Sequence, residues 1–197
     1  MTEIVLIRHG ETDSNVKGTY LGWTDVPLNE TGLMQAAIAK DKLKNDKFDL
    51  CIASPLCRAF NTASIILEGR DLKIQTDDRL KERNFGVWDD LTFDEISHKY
   101  PEEHKKWMVD ITNYEVEGGE SFRGSYDRIA EFVDSLVKTY KNKRILIVTH
   151  SGTIRKIFAY LIGLGIEGVW RFKVDNASIN KIEINDEGYA FIAALNS

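Results

Sequence analysis

Glu3-Ile4-Val5-Leu6-Ile7-Arg8-His9-Gly10-Glu11-Thr12 is the stretch that decides the fold. Glu3 to Ile7 is a short β-branched run, and the polar, glycine-bearing segment Arg8 to Asn29 follows it, so the pair reads as a strand feeding a long loop. Arg144 to Thr149 repeats the pattern as a buried strand that ends at His150. Between them, Phe48 to Ala53 reads as another buried strand ending at Ser54-Pro55. Ser54 as cap and Pro55 as first helical residue predict a helix over Leu56 to Glu68, whose N-terminus favours anions. A helix opening at Thr31-Gly32, with Leu33, Ala36, Ala37 and Leu43 at helical spacing, lies between the first two strands.

The remainder continues the alternation. A weak strand is predicted near Lys73 to Thr76, a turn-rich stretch over Arg79 to Asp90, and helical material from Thr92 to Asp110 broken at Pro101. Phe122, Tyr126, Ile129, Phe132, Val133, Leu136, Val137 and Tyr140 keep the 3.6 period over about five turns, the clearest amphipathic helix of the chain. A helix from Thr153 to Ile162 and two terminal strands, Ser178 to Ile184 and Tyr189 to Leu195, complete it. Strands alternating with helices predict an α/β fold with a three-layer, mostly parallel sheet and helices on both faces, in which ligands bind at the carboxyl ends of strands. No linker or repeat divides residues 1–197, so a single domain is expected.

Charge and composition narrow the function. The 197 residues carry 26 Lys+Arg against 31 Asp+Glu, a net charge of −5, which argues against a nucleic-acid or anionic-membrane partner. With 43 % hydrophobic and 29 % charged residues the chain is ordinary globular material. Two cysteines, Cys51 and Cys57, are too few for a disulfide scaffold, and the start carries an acidic residue and then Arg8 around a short apolar run. A soluble, cytoplasmic protein is therefore expected. Nothing in the sequence assigns an oligomeric state.

Several apparent motifs lack their context. Gly163-Leu164-Gly165-Ile166-Glu167-Gly168 fits a dinucleotide fingerprint but follows a helix, where the mechanism needs a strand before it. Cys51 and Arg58 are one residue too far apart for a cysteine phosphatase loop, and Cys51 lies inside an apolar strand. His9, His98, His104 and His150 show no metal-ligand spacing, so no metal or other cofactor is expected. By contrast Arg8 and His9 follow one strand, His150 follows another, and Arg58 falls in the first turn of the helix after a third. If those ends converge, two guanidiniums, two imidazoles and a helix N-terminus face one crevice suited to a phosphate.

These residues carry a resemblance. Arg8-His9-Gly10-Glu11-Thr12 with Asn15 is similar to the signature of the histidine phosphatase superfamily, which includes phosphoglycerate mutases and related phosphatases. The similarity continues through Gly22-Trp23-Thr24-Asp25-Val26-Pro27-Leu28, Ser54-Pro55-Leu56-Cys57-Arg58-Ala59, Glu82 with Phe85-Gly86-Val87-Trp88, Gly118-Gly119-Glu120-Ser121 and Val148-Thr149-His150. It implies that His9 is a nucleophile forming a phosphohistidine, that Arg8 and Arg58 neutralise phosphoryl oxygens, and that Glu82 is the general acid. Asn15 would donate a neutral hydrogen bond, His150 would act protonated beside the phosphate dianion, and Gly22 and Ser151 would line the substrate site. Glu11 and Thr12 would hold the loop. Two positions depart from the usual pattern: Ser151 stands where many members have Gly, and Asp89-Asp90 replaces Glu-Gly, which is expected to alter the pocket rim.

Arg83-Asn84-Phe85-Gly86 after Glu82 is similar to the phosphatase branch and unlike the mutases. Val169 to Asp175 and Phe48-Asp49-Leu50 resemble the phosphatases of α-ribazole 5′-phosphate, which act in cobalamin nucleotide-loop assembly. The resemblance implies a metal-independent phosphomonoesterase acting on a small phosphomonoester. A broad-specificity phosphatase, a cofactor-dependent phosphoglycerate mutase and a catalytically silent phospholigand-binding module are the alternatives.

Overall fold

The computed structural model describes all residues, 1–197. The opening run becomes β1 (Thr2–Arg8), and its place in the sheet explains why it is apolar on both faces. It pairs in parallel with β4 (Arg144–Thr149) and antiparallel with β5 (Ile179–Ile184). β2 (Leu50–Ala53) pairs in parallel with β4 and with the short β3 (Ile74–Thr76), while β6 (Ala190–Ala194) pairs antiparallel with β5. The order is β3-β2-β4-β1-β5-β6, a mostly parallel sheet as expected.

Successive residues of a strand point to opposite faces, so each central strand feeds two cores. Ile4 and Leu6 of β1, with Ile145 and Ile147 of β4, pack against α6 (Phe122–Thr139) and α7 (Ser151–Leu161). Val5 and Ile7, with Leu146 and Val148, pack against α2 (Glu30–Lys42) and α3 (Cys57–Leu67). That division makes the three layers. Each such buried side chain contributes roughly 1.5–3 kcal/mol.

Three local expectations need correction. The loop after β1 contains a short helix, α1 (Asp13–Lys17), closed by a capping box in which Thr12 and Asn15 exchange side-chain and backbone hydrogen bonds. Five residues are too few for helical periodicity to register. In α2 the buried face is Gly32, Ala36, Ala39 and the following Leu43, while Leu33 and Ala37 are exposed. Small residues let this helix lie close to its neighbours, so its inner stripe is nearly invisible to hydropathy. α3 begins at Cys57 and not at Pro55, because Leu56 stays extended and Ser54 makes no cap. Its leading amide, Cys57 N–H, donates instead to Asp25 Oδ1 at 2.7 Å, from the loop before α2. The anion at this helix start is therefore the protein's own carboxylate.

The middle segment forms α4 (Phe93–Lys99) and α5 (Pro101–Val109), the second opened by the proline that ends the first. They enclose a satellite cluster in which Trp88 stacks on Tyr114 at 5.9 Å and meets Trp107 edge-on at 5.7 Å. No helix is long and apolar enough to cross a membrane.

Candidate active site

The register of the sheet sets the site. Arg8 lies opposite Thr149 and Ala53 opposite Val148, so the residues that follow, His9, Ser54 and His150, leave the same sheet edge together. The rings of His9 and His150 are 5.1 Å apart at 62°, and both are almost fully buried. Nδ1 of His9 is 2.7 Å from the carbonyl oxygen of Gly10. A carbonyl only accepts, so Nδ1 carries the proton and Nε2 keeps the lone pair. Burial, then the charges of Arg58 and Arg8, push the His9 pKa well below 6.5. His9 is thus held neutral with Nε2 unprotonated.

His150 sits in the same field, and burial, then Arg58, His9 and Arg8, push its pKa down as well. Its Nε2 is 2.8 Å from Ser54 Oγ, and its Nδ1 is buried without a protein partner. The chain's own charges favour the neutral ring, and the expected protonated form is one that a phosphate dianion beside it would induce.

Arg58 is fully buried and oriented by two carbonyls, Thr24 O at 2.9 Å and Gly22 O at 2.6 Å, while its Nε has no protein partner. Those carbonyls are pinned from behind, since Asp89 accepts the backbone N–H groups of Gly22, Trp23 and Thr24 at 2.6, 2.7 and 2.8 Å. Gly22 therefore has both polar backbone groups engaged and does not line the cavity. A Cβ there would stand 2.4 Å from Arg83 O. Asp89 does not shape the rim, as its sequence position suggested, but seats an arginine. Asp90 accepts from Thr19 Oγ1 at 2.7 Å. Arg8 donates from Nη1 to Val174 O at 2.8 Å and keeps a buried, unpartnered Nε. Burial lowers its pKa to about 10, which leaves it charged at neutral pH.

Arg8, His9, Asn15, Glu82 and Ser151 line one cavity of about 730 Å³, with Arg58 and His150 buried outside its lining. Asn15 Oδ1 accepts from Thr12 N and Asn176 Nδ2, both at 3.2 Å, which leaves its Nδ2 as the group to donate. Ser151 Oγ is buried and unpartnered. Glu82 Oε1 accepts from Arg83 N at 2.9 Å and Oε2 from Gly152 N at 2.8 Å, so both oxygens are oriented. A Cβ at residue 152 would lie 2.4 Å from Oε1, so only glycine allows this approach. As expected, Glu11 and Thr12 hold the loop: Glu11 Oε1 accepts from Asn29 Nδ2 at 3.0 Å, and Thr12 caps α1. Cys51 is a buried structural thiol whose pKa burial raises to about 12.

Sequence reasoning did not single out several contributors. Arg128 donates to the carbonyls of Lys81 and Glu82 and pairs with Glu120 at 2.8 Å, fixing the segment that carries Glu82. Lys156, 2 % exposed, stands on the inner face of α7. A lysine among Thr153, Ile154 and Ile157 was the signal available for it. The cavity is also lined by the aromatic groups Tyr20, Phe85 and Trp107, and by Phe122 with Trp170, which stack at 5.0 Å.

Fold and site together define a phosphoryl-transfer enzyme of the three-layer α/β class. The model of the histidine phosphatase superfamily (branch 1) matches residues 4–196, and the chain belongs to that superfamily. It is 34 % identical over 192 residues to an adenosylcobalamin/alpha-ribazole phosphatase of Salmonella typhimurium, covering 98 % of this chain and 95 % of that one. It is 32 % identical over 186 residues to phosphoserine phosphatase 1 of Hydrogenobacter thermophilus, covering 94 % and 88 %. Among solved structures, the alpha-ribazole phosphatase of Shigella flexneri superposes with a TM-score of 0.94 at 34 % identity, over 99 % of this chain and 96 % of that one. The protein is a phosphoric monoester hydrolase.

Proposed function

We propose that the protein hydrolyses α-ribazole 5′-phosphate through a phosphohistidine at His9. The observation that carries the chemistry is the neutral, Nε2-unprotonated His9 opening on a cavity it shares with Arg8 and Glu82. Nε2 attacks phosphorus, the ester P–O bond breaks, and Glu82 delivers a proton to the leaving oxygen. Arg8 and Asn15 hold the phosphoryl oxygens from the cavity wall, the buried Arg58 adds its positive charge and unpartnered Nε from behind that wall, and the substrate dianion charges His150 beside His9. Water then attacks the phosphohistidine, Glu82 takes the water's proton, the P–N bond breaks, and inorganic phosphate leaves.

The substrate reading rests on the walls of the cavity. At about 730 Å³, lined by Trp107 and the Phe122–Trp170 stack, it fits a ribose phosphate bearing a fused aromatic base. Phosphoserine would leave those rings uncovered. The test is phosphate release in the presence of a chelator from α-ribazole 5′-phosphate, phosphoserine and 3-phosphoglycerate. The highest kcat/KM is expected for the aromatic-base substrate, with no turnover in His9→Ala. Faster release from phosphoserine, equal rates on all three, or isomerisation of 3-phosphoglycerate in place of release would each replace this assignment.

A further inference from the structure

Lys156 is buried, charged and unexplained by the steps above. Its Nζ lies 3.9 Å from Glu82 Oε1, beyond hydrogen-bond distance, and 5.2 Å from the centroid of the Phe122 ring. Sequestering an ammonium from water costs free energy unless its charge is met, and an aromatic face meets it only in part. Its place on α7 is informative. Gly152 and Lys156 are four residues apart, so one face of the helix presents a backbone N–H to Glu82 Oε2 and, a turn later, an ammonium toward Oε1. Both oxygens of Glu82 thereby face the same helix.

We propose that Lys156 is a positioning residue that keeps Glu82 an anion between the two half-reactions, so that it can accept the proton of the attacking water. The inference rests on the phosphohistidine reading. Once Glu82 has given its proton to the leaving oxygen, its carboxylate must persist beside a phosphorylated His9, and uptake of a solvent proton there blocks the second step. An ammonium at 3.9 Å opposes that uptake, and before the first step the dianion of the bound substrate offsets the ammonium so that Glu82 can enter protonated. The other charged groups around Lys156 are Glu120, Arg83 and Arg128; Glu120 is itself paired with Arg128 at 2.8 Å. Glu82 is its nearest carboxylate, and Glu82 is in turn faced by Arg8 and Arg58 from the side of His9 and by Arg83 from its own segment. Burial first, opposed by the attraction of Glu82, lowers the Lys156 pKa to about 8, so the group is still charged at neutral pH.

The test separates the half-reactions with 4-nitrophenyl phosphate, whose leaving group needs little protonation. For Lys156→Met we expect an undiminished burst of nitrophenolate followed by turnover slowed about tenfold at pH 6, part of the roughly 10²- to 10⁴-fold that a positioned acid–base group contributes. The acid limb of turnover moves to higher pH, and label from the substrate accumulates on His9 when the protein is denatured in alkali. Lys156→Arg, which keeps the charge, restores the wild-type limb. An unmoved limb in Lys156→Met, or an equal shift in Lys156→Arg, overturns the role of Lys156. Absence of labelled histidine from both the wild type and Lys156→Met would overturn the phosphohistidine reading instead.

Discussion

A histidine that attacks phosphorus needs a free lone pair in a place rich enough in positive charge to hold a dianion. The same guanidiniums satisfy both needs, because each disfavours an imidazolium beside it. Arg58 contributes more than Arg8 to the depression of His9, after burial itself. Replacing Arg58 by Gln removes that repulsion, so the His9 titration followed by NMR should move up toward 6.5, and by less in Arg8→Gln. An unmoved or lower titration in Arg58→Gln would show that burial alone sets the imidazole. The sequence exposed these residues because each stands just beyond an apolar strand or in the first turn of a helix, where a polar group has a geometric reason to be. The role of Asp89 and the place of Lys156 stayed hidden for opposite reasons. One is an aspartate in a loop, whose three backbone partners sit more than 60 positions upstream, and the other looks like any surface lysine until its helix is packed.

At the level of elements, strands and long amphipathic helices were legible, and the start of α3 was not. Periodicity is a property of one segment, whereas the start of α3 depends on two others. Ser54 is drawn to the ring of His150 at 2.8 Å, and Asp25 supplies the cap from a loop 32 residues upstream. The first strand, α6 and the break at Pro101 needed no such partner and were read correctly. Asp25 joins Asp89 in fixing the Gly22–Thr24 loop relative to α3, the helix that carries Arg58. Asp25→Ala should lower stability by about 1 kcal/mol, the ordinary cost of a lost N-cap, measured by urea denaturation. It should also raise KM for the phosphomonoester, because the carbonyls that seat Arg58 are no longer tied to its helix. Unchanged KM with the stability loss intact would mean that Asp89 holds the loop alone.

For the molecule as a whole, the α/β class was legible, but the order of the sheet was not, since β1 lies between β4 and β5 through pairings that no local pattern records. That order brings His9, Ser54 and His150 together, and the layer on one face brings α7 with its lysine to Glu82. Such an arrangement carries a cost that can be measured. Folding takes Lys156 from an ordinary pKa of 10.5 to about 8, so between those values the unfolded chain binds more protons than the folded one. The contribution of Lys156 to stability therefore rises with pH across that window. Below it, the buried charge holds the fold down by the full difference, on the order of 3 kcal/mol at about 1.36 kcal/mol per pH unit. Lys156→Met fills the same space without a charge. It should melt several degrees above the wild type at pH 7, by an increment that shrinks as pH is raised toward 10. Paired with the slower turnover expected of the same variant, a higher Tm would identify the lysine as a group retained for chemistry against the interest of the fold. A lower Tm would show that its attraction to Glu82 outweighs its burial.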